Sequence, residues 1–268
     1  MTVISAALTS VELRRKQAIQ SDWCLPLPLE GFAFWEYLLL RFSPVFRGVG
    51  VPRGEGTPVV TVPGFLWGDE YMSSLRRFLI RIGYRAFPSG IGRNATCLDT
   101  LSDRLEETVL HIHEITGERV FFVAHSFGDP FARRVTQKHP ELVAGRISLA
   151  SPKNIVKAHP VILTAADFVR AKIRLMKESA DKDCFTDECQ CPTVRLMVES
   201  QPLQIPCAAL YSKMDGVVDW RICREPDGQG QNIEVPSTHS GMAFNPVVFR
   251  RIAELLHEFS QTKERALA

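Results

Sequence analysis

Three residues of this sequence could together carry out covalent acyl chemistry, and each stands just past an apolar run. Ser126 sits in Ala124-His125-Ser126-Phe127-Gly128, at the end of the run VFFVA. A serine hydroxyl is a weak nucleophile until a base takes its proton and a carboxylate orients that base. Asp215 follows CAALYS, with Val218 three residues on to anchor its loop, and His239 follows NIEV in the Gly/Ser/Thr-rich stretch EVPSTHSGMAFNP. Small residues two before and two after Ser126 let a chain turn sharply from strand to helix and hold the hydroxyl proud of a sheet. Asp219 is the rival acid, but it falls beyond the first turn after its strand, so Asp215 is preferred. Among the histidines, His111, His113 and His257 fall within helical patterns. His139 precedes a proline at a helix end, His125 flanks the serine and is expected to point away from it, and His159 lies in a long insertion. His239 alone meets the demand for a base at a strand end.

The tetrahedral oxygen of acyl transfer needs an anion site. The amide of Phe127 heads the helix after the serine, where the first N–H groups have no acceptor within the helix. Phe65, in VPGFLWGD, is expected to supply a second amide, with Gly64 allowing close backbone approach; a plain strand-ending turn would also account for Pro63-Gly64. Leu66 and Trp67 from that loop, Ile162 and Phe168 from the insertion, and Met242 beside His239 are the candidate substrate-binding residues.

These positions require a scaffold of alternating strands and helices. The β-branched run PVVTV is a buried strand closed by Pro63-Gly64, and YRAFP, VFFVA, AGRISLA, CAALYS and NIEV are five more. Between them lie amphipathic helices such as DEYMSSLRRFLIRIG and LDTLSDRLEETVLHIHEITG, each closed by a glycine. Strands alternating with helices imply a mostly parallel sheet covered on both faces, with active sites at the carboxyl ends of its strands. Residues 1–56 read as an extension packed on the core. Its GFAFWEYLLLRF piece is apolar on most faces and favours core packing over a membrane anchor. Residues 57–268 form one domain, in which 152–206 interrupts the rhythm and reads as a lid or cap contributing Ile162, Leu163, Phe168 and Met176 to the pocket.

The chain has 268 residues, 45% hydrophobic, enough for one large domain with a full core. A net charge of +2 without a basic block argues against nucleic acid as a partner. No run is long and apolar enough for a transmembrane helix, and the N-terminus lacks a secretory charge pattern, so a cytoplasmic protein is expected, with peripheral lipid contact open. The seven cysteines are an odd number. Cys24, Cys97 and Cys207 read as small buried hydrophobes. The cluster Cys184, Cys189, Cys191 has no familiar ligand spacing, so no metal is expected; a disulfide to Cys223 or free thiols remain.

On VVTVPGF, LRRFLIRIGYRAFPSGIGRN, AHSFG, ALYSKMDGVVDW and STHSGMAFNP, the chain resembles the α/β-hydrolase family, in particular bacterial serine esterases and lipases with a PGF loop. The resemblance runs from Pro58 to the C-terminal helix, the insertion apart. It implies a mostly parallel sheet of about eight strands and cofactor-free hydrolysis of carboxylic, lipophilic acyl esters. Ser126 would be the nucleophile, His239 the base, Asp215 its orienting acid, and Phe65 and Phe127 the oxyanion amides. An acyltransferase or thioesterase with the same triad, or a non-catalytic binding protein on the scaffold, are the competing readings. Asp129 departs from the family, which has a second glycine there. Its charge is expected to be turned aside, paired with a cation such as Arg93 or Arg133, or else to mark altered activity.

Overall fold

The computed structural model describes residues 27–153, 160–176, 191–199 and 202–267. Cys24, His159, Cys184 and Cys189 lie outside them, as do the side chains of Ile162 and Leu163. Six strands form one parallel sheet: β1 (Pro58–Val62), β2 (Arg85–Pro88), β3 (Val120–His125), β4 (Val143–Leu149), β5 (Cys207–Tyr211) and β6 (Gln231–Glu234), in the order β2-β1-β3-β4-β5-β6. They are the six runs read as strands from the sequence. No described residue adds either of the two further strands that the family resemblance implies.

β1, β3 and β4 are buried at every position, whereas the edge strands β2 and β6 are exposed at both ends. A parallel strand covered on both faces must be apolar throughout, which explains why these runs do not alternate. Phe121 and Val123 face one layer, built from α2 (Ser73–Arg81) and α7 (Pro246–Leu267) with Leu40 and Phe46. Val120, Phe122 and Ala124 face the other, built from α3 (Leu98–Thr116) and α4 (Asp129–Lys138). Each fully buried Phe or Val contributes about 1.5–3 kcal/mol.

The chain runs from β1 outward to β2 and then returns to β3 on the other side of β1. Strand order therefore reverses between β1 and β3, and crevices at such points are where parallel sheets bind ligands. The register pairs Val62 with Ala124, so Pro63-Gly64 and His125-Ser126 leave the sheet side by side.

The N-terminal segment meets the core through one face of its helix, with Leu40 in the main cluster. Leu27–Phe32 is a 3-10 turn leading into α1 (Ala33–Phe42), of which only Glu36 and Leu40 are buried. Phe34, Trp35, Leu39 and Phe42 are exposed. The helix turns its carboxylate inward because Glu36 accepts hydrogen bonds from Thr238 and Asn245, and that orientation carries its aromatic side outward. No helix among the described residues is long and apolar enough to cross a membrane.

Within 152–206, α5 (Pro160–Met176) sends Val169 against Ala95, Cys97, Phe65 and Leu66, while α6 (Pro192–Glu199) packs with α3 and α4. Thr193 joins α6 to α3 by donating to Asp99 from both its amide and its hydroxyl. Cys223 is a buried thiol outside any disulfide, so the disulfide considered for it does not form. Among the described residues no three His, Cys, Asp or Glu side chains converge as a metal site would require.

Candidate active site

Ser126 has a left-handed backbone, φ 49°, and is 8% exposed. A non-glycine residue there stores roughly 1–3 kcal/mol, which surrounding contacts must offset. The Ser151 hydroxyl donates to the Ser126 carbonyl. Gly128 passes so near β1 that an added Cβ would lie 2.6 Å from the Pro63 carbonyl oxygen. Only glycine allows that approach, and the turn Ser126–Gly128 then delivers the chain into α4.

The imidazole of His239 joins the two other candidates. Its Nδ1 lies 2.7 Å from Asp215 Oδ2 and its Nε2 lies 3.0 Å from Ser126 Oγ. The other Asp215 oxygen accepts from the amides of Val217 and Val218 at 2.8 and 2.7 Å, which holds the carboxylate in place beside the ring. Asp219 is not on the imidazole; it accepts from the Arg221 amide at 3.0 Å and caps the turn Trp220–Cys223. Burial opposes protonation of His239, but the Asp215 charge and hydrogen bond, with help from Glu30, outweigh it and raise the imidazole above its ordinary value.

His125 turns from the serine hydroxyl toward the His239 carbonyl, at 3.0 Å from Nε2. A carbonyl only accepts, so Nε2 carries the proton. Burial, reinforced by the nearby His239 charge, pulls His125 down to about 3, and the ring is neutral in ordinary buffers.

Asn94 ties the loop after β1 to the serine turn. Its fully buried side-chain amide donates to the Pro63 carbonyl at 3.1 Å and the Phe127 carbonyl at 3.2 Å. Its backbone exchanges two bonds with Leu66 and Trp67. The Phe65 and Phe127 rings meet edge to face at 6.4 Å. Beside this loop opens a cleft of about 620 Å³, lined by Leu66, Trp67, Asp69, Tyr71 and Arg93.

Other candidate substrate residues fall elsewhere. Met242 is fully buried in the core beneath the histidine loop. Phe168 is 74% exposed; its neighbour Val169, one position round the helix, is the one turned to the Phe65–Leu66 loop.

Asp129 is buried and ion-paired with Arg146 and, at 2.9 Å, with Lys153. Glu225 pairs with the same two cations at 2.7 and 2.8 Å. Burial alone would raise both carboxyls, but the two cations hold them below the ordinary range. The charge is thus paired, through ion pairs to Arg146 of β4 and Lys153, and it also attracts Arg133 one turn along the same helix; Arg93 donates to the Leu66 carbonyl at 3.0 Å instead. Sequence reading passed over Arg146, Lys153, Glu225, Glu30, Glu36 and Asn94. Arg146 left a usable trace, since an arginine inside a strand buried on both faces requires carboxylates beside it. Asn94 and the two glutamates left none, because they act on loops distant in sequence.

No protein-family model and no curated protein sequence matches the chain. Solved structures do. A soluble variant of monoglyceride lipase from Saccharomyces cerevisiae superposes with a TM-score of 0.55 at 15% identity, covering 78% of this chain and 90% of that one. The monoacylglycerol lipase of Paleococcus ferrophilus gives 0.51 at 15% identity over 76% and 97%. An α/β hydrolase enzyme from the metagenome of lagoon sediments at Mar Chica, Morocco, gives 0.51 at 18% identity over 79% and 94%. The chain thus has the α/β-hydrolase fold, with six sheet strands among the described residues.

Proposed function

We propose that this protein is a serine hydrolase that cleaves carboxylic esters through an acyl-enzyme intermediate, with Ser126, His239 and Asp215 as its triad. The single observation that carries the reading is the hydrogen-bonded line from Asp215 through His239 to the hydroxyl of a serine in left-handed backbone. The fold alone would not suffice, since one scaffold hosts many activities.

In this reading Ser126 Oγ attacks the ester carbonyl while His239 Nε2 takes its proton. The buried Asp215 holds the imidazole in the tautomer with Nδ1–H toward it and stabilises the imidazolium that forms. Negative charge grows on the former carbonyl oxygen, and the amides of Phe65 and Phe127 are its assigned donors. His239 then protonates the departing alcohol. A water molecule, deprotonated by the same imidazole, cleaves the acyl-enzyme and releases the acid. The loop of Phe65, Leu66 and Trp67, faced by Val169, supports a lipophilic acyl or alcohol group. The monoglyceride and monoacylglycerol lipases of like fold are consistent with such substrates.

The test is labelling with a fluorophosphonate, mapped by mass spectrometry to its residue, together with hydrolysis of p-nitrophenyl esters. Label on Ser126, and a loss of about 10⁴-fold or more in Ser126→Ala, is the expected result. Half the activity retained in that variant would end the assignment.

A further inference from the structure

We propose that Glu30 is a positioning residue for this site: a carboxylate from the N-terminal segment that locks the Asp215 loop to the His239 loop. The inference rests on the triad reading above and adds to it a part from outside the residues that the sequence assigned to the catalytic domain.

Glu30 Oε1 accepts from the amides of Gly216 and His239, each at 3.0 Å, and Oε2 accepts from Ser240 at 2.8 Å. One donor is the residue after the acid and another is the histidine itself. The two loops leave different strands, β5 and β6, and a single carboxylate gathers donors from both. Hydrogen bonds from N–H groups to an ionised carboxylate are roughly twice as strong as neutral ones. Glu36, six residues on in α1, makes a parallel hold, where it accepts from the Thr238 hydroxyl at 2.6 Å and the Asn245 side-chain amide at 2.7 Å. Gly241 lies directly on it, since an added Cβ would overlap the Glu36 carboxylate at 1.8 Å.

Glu30 also bears on the charge of His239. Asp215 faces it from the loop after β5, and the His125 ring from the end of β3 at 5.0 Å. Tyr71, from the turn Asp69–Met72, donates to the Ser240 carbonyl at 2.7 Å. Burial and the two glutamates keep Tyr71 protonated, and His125 is neutral. Cys223, near Asp215, is likewise held as a thiol by burial. Among the described residues, the carboxylates facing the histidine loop are those of Asp215, Glu30 and Glu36, and after Asp215 it is Glu30 that favours the imidazolium.

Two measurements on the full chain separate positioning from mere support. The first is ester hydrolysis by wild type, Glu30→Gln and Glu36→Gln; the second is the titration of His239 in the same proteins, followed by NMR of ¹³C-labelled histidine. Glu30→Gln should lower kcat about 10- to 100-fold, the scale for misplacing a catalytic group by an ångström, with KM nearly unchanged because Glu30 is not assigned to substrate. Its His239 should titrate at lower pH than in wild type. Glu36→Gln touches Thr238 and Asn245 rather than His239, so it should lower the melting temperature without moving that titration. If Glu30→Gln does not fold, Glu30→Ala, which sets no amide NH2 against the three donors, carries both readouts. A folded Glu30 variant with an unmoved His239 titration and unchanged kcat overturns the proposal. Should the wild type neither hydrolyse esters nor take the fluorophosphonate, the hydrolase reading falls, while the titration still decides whether Glu30 acts on His239.

Discussion

Gly64 stands so close to the serine turn that a β-carbon on it would lie 3.0 Å from Ser126 Cβ and 2.9 Å from His125 Nδ1. The His125 ring cannot swing away, because it lies between Tyr71 and His239 at ring separations of 5.4 and 5.0 Å. Gly64→Ala must therefore push the Phe65 loop off the turn. Removing one oxyanion donor costs about 10²–10³ in kcat, and overpacking costs roughly 1–3 kcal/mol. Steady-state kinetics and a thermal melt read both; a variant with unchanged kcat would remove Phe65 from the proposed anion site.

The two neighbouring aspartates should separate cleanly. Asp215→Asn replaces an acceptor of the His239 Nδ1 proton with a group that stabilises the wrong tautomer, and a loss of about 10⁴ in kcat is expected. Asp219→Asn removes only a turn cap paired with the exposed Arg221, at about 1 kcal/mol, and should leave the rate close to wild type because the imidazole is held by Asp215. Equal losses in the two variants would show that the acid is wrongly assigned.

The pH dependence follows from the two histidines. His239 must be neutral to act as base, and its protonated form is favoured beyond the ordinary imidazole value of 6.5. The acid limb of kcat/KM should therefore lie above 6.5, and Asp215→Asn should move it down. His125 titrates at about 3 and adds no limb in the working range. For stability the sign is opposite. A raised folded value favours the folded state at pH below the unfolded value, and this contribution is lost as pH rises through the folded one. Activity should thus climb over the window in which that contribution declines. A limb at pH 5 would contradict the Asp215–His239 coupling.

The strands and the order of the three candidate residues were legible because they depend on local pattern. PVVTV, VFFVA and CAALY are apolar because both faces are covered, and the chemistry-bearing residues follow at their carboxyl ends. What escaped reading depends on contacts far apart in sequence. Glu36 sits in a helix that looks fit for the core, yet the buried residue is the glutamate and the exposed ones are Trp35 and Leu39. Its partners Thr238 and Asn245 lie 202 and 209 residues away. Asn94 likewise bridges Pro63 and Phe127, more than thirty residues off on either side. No period or motif carries such pairings.

Asp129 is the residue whose charge, next to a developing oxyanion, would be least welcome. Its partners resolve the conflict. Asp129, Glu225, Arg146 and Lys153 are all buried and their formal charges sum to zero. Asp129→Asn leaves one uncompensated positive charge in that cluster. Breaking a buried pair by removing one partner costs about 3–5 kcal/mol, so a fall of that size in unfolding free energy is expected from urea titration. Rate per folded molecule should stay within tenfold, since the charge removed was already neutralised. Adding Lys153→Met returns the cluster to zero net charge, and the double variant should recover part of the loss, a coupling that a double-mutant cycle measures. Both carboxyls titrate below their ordinary range when folded. Their contribution is therefore present above the unfolded values near pH 4 and lost as pH falls through the folded ones. Asp129→Asn should flatten the acid side of the stability profile accordingly. A variant as stable as wild type, or one more than tenfold faster, would mean that the carboxylate faces the reaction rather than the two cations.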